Sequence, residues 1–248
     1  MNGSDRSAHK LCRTFVLVHG AWHGAWCWDE VADRLRAEGE HVVVPTLTGL
    51  GERADEMSAS ITLDTFVADV AEAIERGSLN EVVLVGHSFA GAVVLGVADR
   101  MPRRLRSVIL LDALVLGSGE SAFGTMAPEL VEARRRAVAE HGDGVAMPVP
   151  PPTAFGVADD HPAAARLRAR LTPHPVGTYE SPAHLRYAIG NGLPTTYVRC
   201  TAPDYEPTTP SWRRAQQQPG WRVIELTTGH DAMITAPDRL ARLLCEVG

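Results

Sequence analysis

The chain has 248 residues, 45% hydrophobic and 22% charged, which fits a globular protein with one large α/β domain or a domain with an insertion. Its net charge of −6 argues against non-specific binding to nucleic acids or to anionic membranes. The sequence has no run of about 18 apolar residues, so it predicts no membrane span.

The N-terminus and the cysteines indicate a cytoplasmic protein. Residues 1–11 are polar, lack the apolar stretch of a secretory signal and are expected to be flexible. The four cysteines form no C-x-x-C pair and no zinc-binding spacing, which predicts free thiols and no metal.

Short apolar runs alternate with helical patterns along the chain. The predicted strands are residues 15–18, 42–44, 82–85, 108–111, 195–199 and 223–226, and the predicted helices are residues 28–37, 63–76, 89–100 and 238–245. Apolar runs without polar alternation are typical of strands buried on both faces. The order predicts an α/β fold, with a mostly parallel sheet of about six strands and helices on both faces.

The alternation breaks between residues 115 and 190. This segment has two predicted helices, residues 128–140 and 162–171, and it is too long for an ordinary connection. We predict an inserted helical cap at 115–190, with the core domain formed by 12–114 and 191–248. Apolar residues spread through the segment argue against the alternative, a disordered linker.

The segment VVLVGHSFAG places Ser88 between a buried strand and a helix that begins near Phe89. A strand that turns abruptly into a helix strains its apical residue and needs small neighbours, here Gly86, Ala90 and Gly91. Ala90 stands where the pattern G-x-S-x-G has its last glycine. We interpret Ser88 as a nucleophile, and a serine that only caps the helix is the alternative.

A serine nucleophile needs a base, and the chain has ten histidines. His230, in TTGHDAM, follows the last predicted strand and is the predicted base. His19 and His87 lie in tight glycine turns, which favours structural roles, and His23 is expected to line the site. Asp231 is interpreted as a loop or capping residue.

Two carboxylates compete as the acid that orients the base. Asp204, in CTAPDYEP, follows the penultimate strand, whereas Asp112 ends the run VILLDAL, one strand after that of the nucleophile. The chain order serine, acid, histidine fits both. We predict Asp204, with Asp112 as the alternative acid and Glu206 as a third candidate.

The backbone after the first strand and after the serine is suited to bind an oxyanion. The predicted donors are the amides of Ala21, in VHGAWHGAW, and Phe89. The predicted lining of the substrate pocket is His23, Trp22, Phe123, Met126, Phe155 and Tyr179. Core packing is the alternative role for each aromatic and apolar member of this set.

The motifs FVLVHGAWHGAWCW, LTGLGER, VGHSFAG and TGHDAM resemble α/β-hydrolase-fold serine esterases, in the branch of plant methylesterases, hydroxynitrile lyases and their bacterial relatives. The likeness spans residues 15–113 and 195–248. It implies the α/β-hydrolase fold, a triad of Ser88, Asp204 and His230, and oxyanion donors at Ala21 and Phe89. The loop around the acid is slightly longer than is usual in the family, which keeps Asp112 open.

Two departures from this branch bear on the reaction. Hydroxynitrile lyases carry a threonine and a lysine where this chain has Gly20 and Asp231, so cyanohydrin cleavage is not expected. Haloalkane dehalogenases and epoxide hydrolases of this fold use an aspartate nucleophile where this chain has Ser88.

The sequence thus predicts a cofactor-independent serine hydrolase that cleaves a carboxylic ester of a small or medium-sized apolar molecule through an acyl-enzyme intermediate. The alternatives are a lyase, C–C hydrolase or cyclase acting on a secondary metabolite with the same triad, or a slow hydrolase-like receptor. The expected partner is the small-molecule ester, with no nucleic acid and no membrane. A monomer and a homodimer are both compatible with the sequence.

Overall fold

The computed structural model describes residues 12–248 and contains a six-stranded sheet and a small two-stranded one. The strands are β1 (Thr14–Val18), β2 (His41–Val43), β3 (Val82–His87), β4 (Leu105–Leu111), β5 (Ala146–Met147), β6 (His174–Pro175), β7 (Thr195–Cys200) and β8 (Arg222–Leu226). The large sheet has the order β2-β1-β3-β4-β7-β8, and each neighbouring pair is parallel. The predicted parallel sheet is confirmed, and the predicted flexible N-terminus, residues 1–11, lies outside the described residues.

Helices carry most of the connections between the strands. They are α1 (Asp29–Ala37), α2 (Leu63–Arg76), α3 (Ala90–Arg100), α4 (Pro128–His141), α5 (Ala164–Arg170), α6 (Gly177–Glu180), α7 (Thr209–Gln217), α8 (Ala232–Thr235) and α9 (Pro237–Val247). All six residues of β3 are buried, which requires cover on both faces of the sheet. The helices α1 and α9 pack together, as do α2 and α3.

The segment 115–190 lies between β4 and β7 and sits over the loop that follows β1. The amide of Trp22 donates to Nδ1 of His174 (3.3 Å), and its indole N–H donates to the carbonyl of Met147 (3.3 Å). The carbonyl of Trp22 accepts from the amide of Thr172 (2.9 Å). These bonds tie the loop after β1 to β5, β6 and the residues before β6.

Among residues 12–248, no helix combines the length and the apolar character that crossing a membrane requires.

Candidate active site

Ser88 stands on a sharp turn between β3 and α3. Its φ of 55° lies in the left-handed region, which a non-glycine residue adopts at a cost of roughly 1–3 kcal/mol. The backbone holds the turn: the Ser88 amide donates to the carbonyl of Leu111 (3.1 Å), and the Ser88 carbonyl accepts from the amide of Leu114 (2.9 Å). The side chain is therefore fixed at the ends of two neighbouring strands.

Small residues allow α3 to approach these strands closely. A Cβ on Gly86 would lie 2.7 Å from the carbonyl oxygen of Ala90, and one on Gly91 would lie 2.3 Å from that of Leu114. Neither position has room for a side chain. The tightest contact thus falls at Gly91, one residue later than the G-x-S-x-G pattern places it, and the methyl of Ala90 is buried in the core.

A continuous chain of hydrogen bonds joins Ser88, His230 and Asp112. Nε2 of His230 lies 2.9 Å from Oγ of Ser88, and Nδ1 lies 2.7 Å from Oδ2 of Asp112. His230 and Asp112 are buried, whereas Ser88 is half-buried. Because an ionised carboxylate only accepts, Nδ1 carries the proton and Nε2 accepts the serine O–H. This tautomer can take a proton from Ser88, and the carboxylate stabilises the imidazolium that results.

The structure corrects the expectation that Asp204 contacts His230. Asp204 is exposed, and its carboxylate pairs with Arg199 at 3.0 Å. Glu206, the third candidate, is also exposed. Asp112, the alternative acid, is the carboxylate next to His230 because it directly follows β4, the strand beside β3 in the sheet.

The loop after β7 nevertheless reaches the site through two other residues. The ring of Tyr205 stacks on the imidazole of His230 with centroids 3.7 Å apart, and Oγ1 of Thr208 donates to Oδ1 of Asp112 at 3.1 Å. Burial raises the pKa of the Tyr205 hydroxyl, which stays neutral beside the imidazole. Sequence reasoning missed both, although each follows Asp204 within four positions in the loop that it singled out.

Two buried histidines hydrogen-bond to the backbone of the loops around Ser88, His230 and Asp112. Nε2 of His19 accepts from the amide of Leu47 (3.1 Å), and Nε2 of His87 donates to the carbonyl of His230 (3.1 Å). Burial lowers the pKa of His19 to about 4 and holds that of His87 well below its usual value. Both rings are therefore neutral at pH 7 and connect neighbouring loops through hydrogen bonds.

The backbone amide of Ala21 lies in the loop after β1, and that of Phe89 directly follows Ser88 in the chain. A Cβ on Gly20 would lie 2.9 Å from Cβ of Ser88, so the loop after β1 runs directly against the serine. Within residues 12–248, neither the Ala21 nor the Phe89 amide donates a hydrogen bond. Two unengaged N–H groups near a serine are suited to donate hydrogen bonds to an oxyanion that develops there.

His23 and Asp231 form a buried ion pair behind the loop after β1. Nε2 of His23 lies 3.1 Å from Oδ2 of Asp231, and Nδ1 lies 2.8 Å from the carbonyl oxygen of Ala21. Since both ring nitrogens face acceptors, His23 donates from both and is an imidazolium. Burial alone would lower its pKa, but the charge of Asp231 and the two hydrogen bonds raise it. Asp231 thus links the loop of His230 to the loop of Ala21, rather than only capping a helix.

An apolar cavity of about 300 Å³ has Tyr205, whose ring stacks on that of His230, in its wall. Of the six residues predicted to line a pocket, Trp22 and Phe155 are in its walls, together with Tyr205. Tyr179 lies just beyond and contacts the Trp22 ring (6.1 Å between centroids). A larger cavity of about 450 Å³ lies between α1 and α9, remote from these residues.

The three other predicted pocket residues are not in the wall of the 300 Å³ cavity. His23 is engaged with Asp231, Phe123 packs on Tyr179 with ring centroids 5.4 Å apart, and Met126 packs half-buried against the core. Arg134, which was not singled out, is the charged residue of the wall.

One group of potential metal ligands lies in the described part of the chain. Ring nitrogens of His87 and His230 and a carboxylate oxygen of Asp231 lie within 4.8 Å of one another. The two nitrogens of His230 are, however, engaged by Ser88 and Asp112, which leaves no lone pair for an ion. The donor set therefore does not fit a metal while this chain of hydrogen bonds is intact.

The chain is similar to known proteins, in one case over almost its whole length. It is 36% identical to the carbendazim hydrolyzing esterase of Nocardioides sp. (strain SG-4G) over 242 residues, which cover 94% of this chain and 99% of that protein. It is 32% identical to methyl jasmonate esterase 1 of Vitis vinifera over 128 residues, which cover 50% of this chain and 48% of that protein.

The fold is also that of solved structures. An extracellular α/β-hydrolase from a Paenibacillus species matches 95% of this chain, and 99% of its own, with a TM-score of 0.79 and 24% identity. The family model described as "Alpha/beta hydrolase family" matches residues 15–243. The α/β-hydrolase fold expected from the motifs is confirmed, and the chain belongs to the alpha/beta hydrolase family.

Proposed function

We propose that the protein hydrolyses carboxylic esters of small or medium-sized molecules through an acyl-enzyme intermediate. The observation that carries this proposal is the chain Ser88–His230–Asp112, with distances of 2.9 and 2.7 Å and a buried carboxylate at its end. The 36% identity to an esterase over 242 residues supports the same reaction class.

In the first half of the proposed reaction, Oγ of Ser88 attacks the ester carbonyl carbon while Nε2 of His230 takes the hydroxyl proton. The carbonyl oxygen becomes an oxyanion, which the amides of Ala21 and Phe89 stabilise. The intermediate collapses by breaking the bond to the leaving oxygen, which takes the proton from His230 and departs as an alcohol.

In the second half, water attacks the acyl carbon of the Ser88 ester and gives a proton to His230. The second tetrahedral intermediate expels Oγ of Ser88, which recovers the proton from His230, and the carboxylic acid leaves. Asp112 keeps the proton on Nδ1 of His230 and stabilises the imidazolium in both halves. It does so without itself changing protonation.

We further propose that the segment 115–190 is the cap of this site. It forms part of the wall of the 300 Å³ cavity through Met147 and Phe155, and it is hydrogen-bonded to the loop of Trp22, next to Ala21. A cap in this place excludes water from the ester and selects substrates by shape.

The test is the hydrolysis of a graded panel of p-nitrophenyl and methyl esters, and of carbendazim, by the wild type and by Ser88→Ala. The matched control is Ser78→Ala, since Ser78 is an exposed serine with the same left-handed backbone (φ 48°) in a remote turn. We expect a loss of about 10⁴-fold or more in kcat/KM for Ser88→Ala and none for Ser78→Ala.

A fluorophosphonate probe provides a second readout of the same serine. It should label the wild type and Ser78→Ala but not Ser88→Ala. Absence of both ester turnover and labelling in the wild type would refute the proposed function, because an assembled Ser–His–Asp chain must activate its serine.

A further inference from the structure

Arg134 brings a positive charge into an otherwise uncharged cavity. The residue lies on α4, in the segment 115–190, and is the one charged residue in the wall of the 300 Å³ cavity. The rest of that wall is aromatic, aliphatic or proline, including Trp22, Phe155 and Tyr205. Such a lining is suited to a flat apolar ligand that carries one anionic group.

The guanidinium of Arg134 has no carboxylate partner in the described part of the chain. Its Nη1 is fully buried and donates no hydrogen bond, and no Asp or Glu oxygen of residues 12–248 pairs with it. Its neighbour Arg135, in contrast, forms a surface ion pair with Glu180 at 3.2 Å. Arg134 as a whole is half-buried, but a buried N–H of a charged group without an acceptor is costly, and a ligand that brings an acceptor would remove that cost.

The contacts that Arg134 does make hold it in the cavity without neutralising it. Its Cζ lies 5.6 Å from the centroid of the Trp22 ring and 5.4 Å from that of Tyr179. Burial raises the pKa of Tyr179, and the charge of Arg134 and a hydrogen bond from it oppose that rise. Aromatic rings and a neutral hydroxyl orient the guanidinium but leave its charge available.

Two residues of the cavity wall are neighbours of residues in the proposed reaction site. Tyr205 lies in the cavity wall and stacks on the imidazole of His230. Trp22 lies in the same wall and follows Ala21 directly in the chain. A ligand in this cavity therefore contacts the ring that stacks on His230 and the residue that follows a proposed oxyanion donor.

We propose that Arg134 determines substrate specificity by binding a carboxylate at the end of the substrate remote from the scissile ester. The substrate class is then a hemiester: an apolar or aromatic body with one ester and one free carboxylate. A planar guanidinium can bind such a carboxylate through two parallel N–H···O bonds. This inference rests on the proposed esterase function.

The test compares matched substrates that differ only in the remote group. The p-nitrophenyl hemiesters of dicarboxylic acids, aliphatic chains of increasing length and one aromatic spacer, are each paired with the same compound whose carboxylate is replaced by a primary amide. We expect the wild type to favour the best hemiester by roughly 10- to 100-fold in kcat/KM, the value of a charge-assisted hydrogen bond.

Variants of α4 assign that preference to one side chain. Arg134→Gln should lower the preference for the hemiester over the amide roughly 10- to 100-fold, mainly through the KM of the hemiester. Arg134→Lys should retain part of it, since it keeps the charge but loses the planar fork. Arg136→Gln, two residues along the same helix and exposed, is the matched control and should retain it fully.

Three outcomes overturn the inference: a wild type without preference for any hemiester, an unchanged preference in Arg134→Gln, or an equal loss on both substrates, which indicates a structural brace. In each case the amide substrates still report ester hydrolysis by the wild type, so the proposed function is judged separately. Should Arg134→Gln not fold, the wild type alone decides: rising salt should weaken the hemiester preference if Arg134 binds its carboxylate.

Discussion

Replacement of Asp112 by Asn tests which carboxylate orients the base. Asn tolerates the left-handed backbone that Asp112 adopts (φ 44°), so the fold should be retained. The Thr208 hydroxyl, which now donates to Oδ1, can accept from the new amide N–H₂, and this keeps the amide oxygen toward His230. The substitution therefore removes charge with little change of shape.

The size of the effect follows from the distance between Asp112 and His230. Unit charges 2.7 Å apart attract by about 6 kcal/mol at an effective dielectric constant of about 20. This attraction exists fully only when His230 is an imidazolium, as it is in the transition state. We expect kcat/KM to fall roughly 10³- to 10⁴-fold, or about 4–5.5 kcal/mol, since the Asn dipole replaces part of the lost attraction.

The assay is steady-state hydrolysis of the best p-nitrophenyl ester by wild type, Asp112→Asn and Asp204→Asn, with thermal unfolding as a check on the fold. Asp204→Asn is the matched control. It breaks an exposed pair with Arg199 and should change kcat/KM by less than about twofold. A loss below about tenfold in Asp112→Asn, with a large loss in Asp204→Asn, would refute the assignment of Asp112.

Three further predictions concern stability. Burial lowers the pKa of His19 to about 4, so below pH 6.5 the unfolded chain binds a proton that the folded chain does not. The free energy of unfolding should therefore fall by about 3 kcal/mol between pH 6.5 and 4 from this group alone. Urea unfolding at several pH values measures the fall. In the ion pair of His23 and Asp231, Asp231→Asn should destabilise by about 3–5 kcal/mol because it leaves a buried imidazolium unpaired, whereas the double variant with His23→Gln should recover part of that loss. Ser88→Gly should be more stable than Ser88→Ala by about 0.5–1 kcal/mol, since only glycine relieves the strain at φ 55°.

Each of these three predictions has its own contrary result. A stability that does not change between pH 6.5 and 5 would contradict neutral buried histidines. Equal destabilisation in Asp231→Asn and in the double variant would mean that the two residues are not paired. For Ser88, the exposed Ser78 supplies the comparison, and Ser78→Gly should be more stable than Ser78→Ala by a similar margin. If glycine is more stable than alanine at position 78 but not at position 88, the backbone of Ser88 is not strained.

The sheet and its main helices could be predicted from sequence because their signals are local. Short runs rich in apolar and β-branched residues and a helical period are each contained in one element. Helix α7 (Thr209–Gln217) was missed because it buries little apolar surface: its buried residues are Ser211 and Ala215, which give no apolar stripe. Strands β5 and β6 are each two residues long, which is too short for a strand pattern in the sequence.

The proposed acid could not be chosen from sequence because the choice depends on strand order. Asp112 lies beside Ser88 because β4 is next to β3, whereas β7 is separated from β3 by β4. Chain order places Asp204 and Asp112 alike between the serine and the histidine. The directly informative signal was position: Asp112 is the first residue after a buried strand, and Asp204 lies four residues after one.

The ion pair His23–Asp231 and the charge of Arg134 also lay beyond sequence reasoning. The two members of the pair are 208 residues apart in the sequence, and no motif around either residue predicts that they pair. Arg134 is one of three consecutive arginines on a polar helix, and only the packing of α4 on Trp22 and Tyr179 separates it from its exposed neighbours. Such pairings arise from tertiary structure.

Backbone strain marks the same edge of the sheet independently of side-chain chemistry. Trp22, Ser88 and Asp112 adopt φ values of 64°, 55° and 44° in the loops after β1, β3 and β4, which are neighbours in the sheet. Each such residue costs of order 1–3 kcal/mol, and a fold selected for stability alone would place glycine there. The remaining non-glycine residues with positive φ in the described part of the chain lie in turns elsewhere: Ser78, Glu81, Asp143 and Asn191. Three strained residues in adjoining loops are therefore consistent with the proposed roles, because the side chains of the proposed nucleophile, the proposed acid and an aromatic cavity residue are held in place against the preference of the backbone.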